Sequence, residues 1–443
     1  MKPQETQDTS FYNGGRKTHW AVVAFAMIGS CMSGVTFVSV PGMVGTSGFG
    51  YLQMCIGFFL GYLVIAFVLT PLYFKLNVVS IYQYLENRFG LASYKTGAWF
   101  FFISKMLGAS VRLFLVCLTL QLLVFTPLGL PFWLNVVCNV AVCLALTFRR
   151  GVKSVIGVDV VRTACMIVAV ALAIFFIGKD LGGIRIHERV FFFDDVNHPQ
   201  YFWKQLLGGL FTVIAMTGLD QDMMQRTLAC KDYRDSQKNL VVSSLLQTVV
   251  IAGFLCLGSL LYQFAAAHDI AETGDSLFPA VATGGLLPAV VGVLFVVGLM
   301  ISAYGAGGSA LTSLTTSFTV DILGKAGEVK TRKRVHLAMA VLMAVTIVVF
   351  NALNSTSAID AVYKLASYTY GPILGLFAFG ILTKKPVKDK YVPVVALLAP
   401  AICLVLQLNS ERWFGGYKFS YELLLLNAAL TFLGLTLLIR RNK

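Results

Sequence analysis

The sequence predicts an all-α integral membrane protein of about twelve transmembrane helices, ten of them a 5+5 inverted-repeat core with helices 1 and 6 broken. Three observations predict it. The first is composition: 57% hydrophobic and 13% charged residues, with a mean hydropathy of +0.77, lie outside the soluble range. The second is the crowding of basic residues into alternate loops. The third is a pair of polar, glycine-interrupted stretches in the first and sixth apolar runs. Those runs hold equivalent positions if the first ten helices are two repeats of five. The repeat rests on position, because the halves share no visible identity.

Apolar runs place spans near 19–44, 51–74, 97–124, 131–148, 155–177, 202–226, 240–265, 287–320, 335–352, 359–382, 391–408 and 420–439. Basic residues gather in every second connection: Arg16 and Lys17, Lys75 and Arg88, Arg149 and Arg150, Arg226 and Lys231, Lys330 and Arg332, Lys384 and Lys385, Arg440 and Arg441. That asymmetry marks the cytoplasmic side, so both termini are expected inside. The expected organisation is a cytoplasmic tail over 1–18, a core over 19–382 and two additional helices in 383–443. The net charge of +14 follows from this topology, and no nucleic-acid partner is expected. The nine cysteines lie mostly in apolar runs without metal-like spacing, so no disulfide framework is expected. The five histidines sit at span edges or in loops, and no enzyme constellation emerges. No repeated filter motif or charged ring points to a channel. Residues 1–18 are polar and the first apolar run is too long for a cleavable signal.

The first span holds Gly29, Ser30, Met32, Ser33, Gly34 and Thr36, then Pro41 and Gly42. Proline removes a backbone donor and glycine loosens a helix. Irregular backbone at membrane depth persists only where protein buries it or it lines a cavity. Two readings follow: a broken helix whose freed carbonyls and hydroxyls hold an ion and a solute, or close helix packing through small residues. Lys105, Arg112, Arg162 and Lys364 fall inside spans, where a central charge costs about 2.5–3.5 kcal/mol on the mildest scale. Each faces a watery cavity, pairs with a carboxylate or snorkels. Lys105 and Arg112 share one helix face, and Asp159 shares another with Arg162, which it can pair. The sixth span ends in Gly218, Leu219, Asp220, Gln221 and Asp222; these carboxylates read as structural, with Arg226 in reach. The eighth, from Ser302 to Ile322, is crowded with small and hydroxyl residues. Hydroxyls ligate hard cations or bond back to their own helix. The tenth carries Lys364 and then Ser367 to Pro372, a further polar break.

These residues resemble the sodium:solute symporter family, with its leucine-transporter-like core. The resemblance rests on Thr36-Phe37 before Pro41-Gly42, on Pro71 to Lys75 leading to Ser80 through Phe89, and on Arg150 to Ser154 leading to Asp159. It continues with Gly218 to Gln221 and Gln225-Arg226, Thr319 to Ile322, and Tyr370-Gly371-Pro372 leading to Lys384-Lys385. The pieces run in family order over most of the chain. The resemblance implies secondary active import of a small organic solute by alternating access, coupled to Na+, across a bacterial inner membrane. No cofactor beyond that coupling ion is implied, and oligomeric state is left open.

By this resemblance, one Na+ would lie between the carbonyls of Gly29 and Met32 and the eighth-span positions Gly305 and Ala306. A slip in register would bring Ser302 or Ser309 instead. A further ion would use Asp159 and Ser309. Gly305 and Ala306 carry no side-chain oxygen, and Arg162 beside Asp159 would repel Na+ or fill its place. Family sugar carriers have a glutamine where Lys364 stands and a glutamate where Cys55 stands, which argues against a neutral hexose. Sialic-acid-carrying members use a serine and a threonine on the first span and an arginine on the third; Ser33, Thr36 and Lys105 match, with lysine for arginine. The candidate solute residues are Ser33, Thr36, Phe37, Gln53, Lys105, Arg112 and Lys364. They favour an organic anion, a sugar acid or carboxylate. The alternatives are a proton-coupled or ion-independent carrier with Arg162 in the sodium position, or a membrane solute sensor on the same fold.

Overall fold

A chain apolar on every face must satisfy its backbone internally once in lipid, and helices do so. The computed structural model describes residues 9–32, 34–186, 192–195, 198, 200–353, 356–414, 419 and 422–440. Among them it is all-helical. Seven helices are long and apolar enough to cross a bilayer: Tyr51–Lys75, Leu91–Leu118, Val152–Asp180, Tyr233–Ala267, Ala289–Ile322, Val329–Ala352 and Asp389–Leu408. Two further crossings are bent pairs, Trp20–Cys31 with Thr36–Ser47 at 65° and Phe202–Gly218 with Gln221–Thr227 at 74°. Helices Phe132–Thr147, Thr356–Leu382 and Glu422–Leu437 stand where the fourth, tenth and twelfth spans are expected. The arrangement is compatible with twelve crossings, and the two broken helices are the first and the sixth.

Each break has a local cause. In the sixth span a π-helical turn, Ile214–Gly218, runs into Leu219, and Asp220 restarts the helix as its N-cap by accepting the Met223 N–H at 3.1 Å. The stranded carbonyls of Gly218 and Leu219 accept the hydroxyls of Tyr73 and Tyr82, each at 3.0 Å. In the first span Met32 turns extended, with ψ 110°, and its carbonyl accepts a hydrogen bond from Arg162 Nη2. The small-residue reading holds as well. A Cβ on Gly29 would stand 2.4 Å from Thr163 Oγ1, so this glycine lets the first span meet the fifth.

The tenth span departs from expectation. It is one helix, with Pro372 inside it. Pro372 has no N–H for the Tyr368 carbonyl; Asn427 Nδ2 of the twelfth helix supplies the donor at 2.8 Å. A Cβ on Gly371 would stand 2.4 Å from Asn427 Cγ, so glycine there admits the amide. The segment before the first span is also not simply an exposed polar tail. Thr9–Asn13 is helical, Phe11 and Tyr12 are buried, and the Phe11 ring lies edge-on to His336 and 4.1 Å from the Arg332 guanidinium carbon.

Candidate functional site

The two breaks border a cavity of about 240 Å³. Ser30, Met32 and Thr36 reach it from the first span, Tyr51 and Phe58 from the second, Lys105 and Arg112 from the third, Asp220 from the sixth break and Tyr370 from the tenth. Along the helices these residues extend from the level of the breaks toward the end of the bundle that carries Tyr51.

At the level of the breaks runs a chain of alternating charges. Arg162 lies 3.5 Å from Asp159 Oδ1 and donates to the Met32 carbonyl. Asp159 Oδ2 accepts from Arg226 Nε at 2.9 Å and from Ser30 Oγ at 2.8 Å. Arg226 Nη1 meets Asp222 Oδ1 at 3.0 Å, and its Nη2 donates to Ser309 Oγ at 2.5 Å. Ser309 in turn donates to Asp222 Oδ1. Lys105 Nζ lies 2.6 Å from Asp222 Oδ2 and 3.3 Å from Asp220 Oδ2. Asp220 Oδ2 also accepts from the Tyr370 hydroxyl at 2.5 Å. Three cations thus face three carboxylates. Asp159 is 0% exposed, and Arg162 and Arg226 are 2% each, so the pairing is obligatory: an unpaired ion at such depth is prohibitive.

The expected solute residues divide. Thr36, Lys105 and Arg112 line the cavity. Lys105 is corrected in role, because its ammonium is held by two aspartates rather than open to a ligand. Arg112 is different: among the described residues no carboxylate lies within ion-pair distance of it. Gln53 is not on the cavity. Its Nε2 donates to the carbonyls of Gly50 and Gln200 and its Oε1 accepts the Phe193 N–H, so it pins a loop. Phe37 is a core residue, fully buried against Phe254, Phe278 and Phe295. Ser33 and the Lys364 side chain lie outside the described residues.

The expected cation residues are only partly brought together as expected. Asp159, Arg162, Ser309 and Met32 form one cluster, with Gly305 beside it: a Cβ there would stand 3.4 Å from Asp159 Oδ1 and 3.6 Å from Arg162 Nη1. Ser302 Oγ is buried without a hydrogen-bond partner among the described residues. Gly29 packs on Thr163, and Gly305 and Ala306 bring no side-chain oxygen. The Met32 carbonyl, the Asp159 carboxylate and Ser309 are already engaged by guanidinium groups. This donor set does not fit Na+. Arg226, expected only as a loop charge in reach of Asp222, is the centre of the network, and its contacts with Asp159 and Ser309 are what the sequence reasoning missed. Its spacing from Asp222 was the available signal.

Comparison with known proteins agrees with the architecture. The sodium/sialic acid symporter NanT of Aliivibrio fischeri is 27% identical over 412 residues, covering 86% of this chain and 79% of that one. The human sodium/iodide cotransporter is 25% identical over 269 residues, 58% of this chain; the match spans 41% of that relative's length. A solved structure of a Na+-coupled sialic acid symporter, substrate-bound and outward-open, superposes with a TM-score of 0.78 at 18% identity, over 98% of this chain and 92% of that one. That likeness is one of fold. The profile of the sodium:solute symporter family matches residues 11–389, most of the chain. This multi-pass membrane protein therefore belongs to the sodium:solute symporter family, a family of transporters rather than enzymes.

Proposed function

We propose that the chain carries a small organic anion across the membrane by alternating access, and that Arg112 receives the anionic group. One observation carries the reading: Arg112 lines the cavity with no carboxylate in reach among the described residues, while Lys105 on the same helix is neutralised by two. A planar guanidinium matches a carboxylate in a bidentate fork. Thr36 also lines the cavity, and Tyr51 and Phe58 present aromatic faces to it, surroundings suited to a sugar acid. The relatives named for sialic acid and for iodide both take anions, which supports the class. Import across the bacterial inner membrane, with both termini in the cytoplasm, is part of the proposal; the loop charges support the orientation. Family membership implies a transported solute, with Na+ as the partner ion usual in the family.

The test is uptake of radiolabelled sialic acid and simple carboxylates into proteoliposomes, with wild type and Arg112→Gln. Removing one side of a desolvated charge pair costs 2 kcal/mol or more, so affinity for the accepted anion is expected to fall by at least about 30-fold. An unchanged affinity would retire Arg112 as the anion receptor.

A further inference from the structure

We propose that the guanidinium groups of Arg162 and Arg226 are built-in replacements for coupling cations, so that this chain completes its cycle without binding Na+. The inference rests on the carrier reading for its consequence in transport; its binding test does not.

The oxygens of the site are occupied and its charges balance. At the first break, the carbonyl that the kink of Met32 frees is taken by Arg162 Nη2. The eighth span faces that guanidinium with Gly305, whose missing Cβ would stand 3.6 Å from Nη1. A glycine there supplies no side-chain hydroxyl to serve as a ligand. Next to it, Arg226 engages the oxygens a second cation would need: Asp159 Oδ2 at 2.9 Å, Ser309 Oγ at 2.5 Å and Asp222 Oδ1 at 3.0 Å. Hard cations need several oxygens at once; among the described residues the expected side-chain oxygens without a hydrogen bond are Ser302 Oγ and Asp159 Oδ1, and the Arg162 guanidinium already stands 3.5 Å from the second. The six buried or half-buried charges balance, three against three. An added Na+ would leave the site with an uncompensated positive charge beside two guanidinium groups. A tethered cation keeps the first and fifth spans joined in the way an ion does, but it cannot be released. The solute's own gradient, or exchange for a second anion, then drives the cycle.

The experiment uses the purified full-length protein and radioactive sodium alone, so it needs no solute. A ligand that binds the folded state raises its melting temperature by mass action, so wild type is expected to melt at the same temperature in about 100 mM NaCl and in choline chloride. It is also expected to show no saturable sodium binding. Saturable binding, or a Na+-dependent rise in melting temperature, overturns the proposal. The double variant Arg162→Ala/Gly305→Ser opens the position and returns a hydroxyl; it is expected to gain stabilisation by Na+. If that variant remains monodisperse and blind to Na+, the position is not a cation site and the replacement idea fails. Failure of the anion reading would appear only in uptake with Arg112→Gln, so the two outcomes separate.

Discussion

The two broken helices solve the same problem with different chemistry. Each kink strands peptide oxygens at membrane depth. In the sixth span the oxygens of Gly218 and Leu219 are met by neutral tyrosine hydroxyls from the second span and the loop after it. In the first span the oxygen of Met32 is met by a charged guanidinium from the fifth. The first arrangement stands on its own hydrogen bonds. The second imports a full charge, and the charge demands Asp159, which also engages Arg226, Asp222 and Lys105 in turn. The oxygen of the first break is thus held by an ion tied into a charge network over the third, fifth, sixth and eighth spans, while the two oxygens of the sixth break are held by neutral donors.

Substitutions that strike the two breaks unequally test this contrast. Asp159→Ala leaves two buried guanidinium groups without their shared carboxylate and is expected to cost about 3–5 kcal/mol, read as a collapse of monodisperse protein on heating. A variant that stays as stable as wild type would mean the first break does not depend on charge. Lys105→Met is expected to cost less, about 1–3 kcal/mol for carboxylates losing one partner near the cavity. Its melting temperature should drop more than its anion affinity, the reverse of Arg112→Gln; a larger effect on affinity would return Lys105 to the solute. Tyr73→Phe removes one neutral donor from the Gly218 oxygen and is expected to cost about 1 kcal/mol, seen as a small melting shift. If it instead matches Asp159→Ala, the two breaks are equally entangled and the contrast is lost.

Much of the architecture was legible in composition. Apolar runs marked most helix ends to within about three residues, while the third, seventh and ninth helices begin earlier than their apolar runs, at Leu91, Tyr233 and Val329, in polar or charged turns; glycine with hydroxyl residues marked both kinks. The pairing of Asp159 with Arg162 and of Asp222 with Arg226 followed from helical spacing. What escaped was tertiary. Arg226 reaches Asp159 and Ser309 across many residues and different helices, and no periodicity records such a meeting. Gln53 and Tyr51 are two positions apart, which on a helix is more than half a turn; Tyr51 faces the cavity and Gln53 the loop. Lys105 and Arg112 share the face that their spacing assigned them. Their difference in role comes from the sixth span's aspartates, which a reading of the third span alone does not contain.

The amide of Asn427 sets a limit on how far the chain can be shortened. It supports the peptide oxygen that Pro372 leaves bare, two residues from the tyrosine whose hydroxyl grips Asp220. Cutting away the last helix would loosen that turn from behind and pass the slack to the cavity wall. The final segment is thus a brace, and trimming trials should find activity ending at Asn427 rather than where the ten-helix core stops.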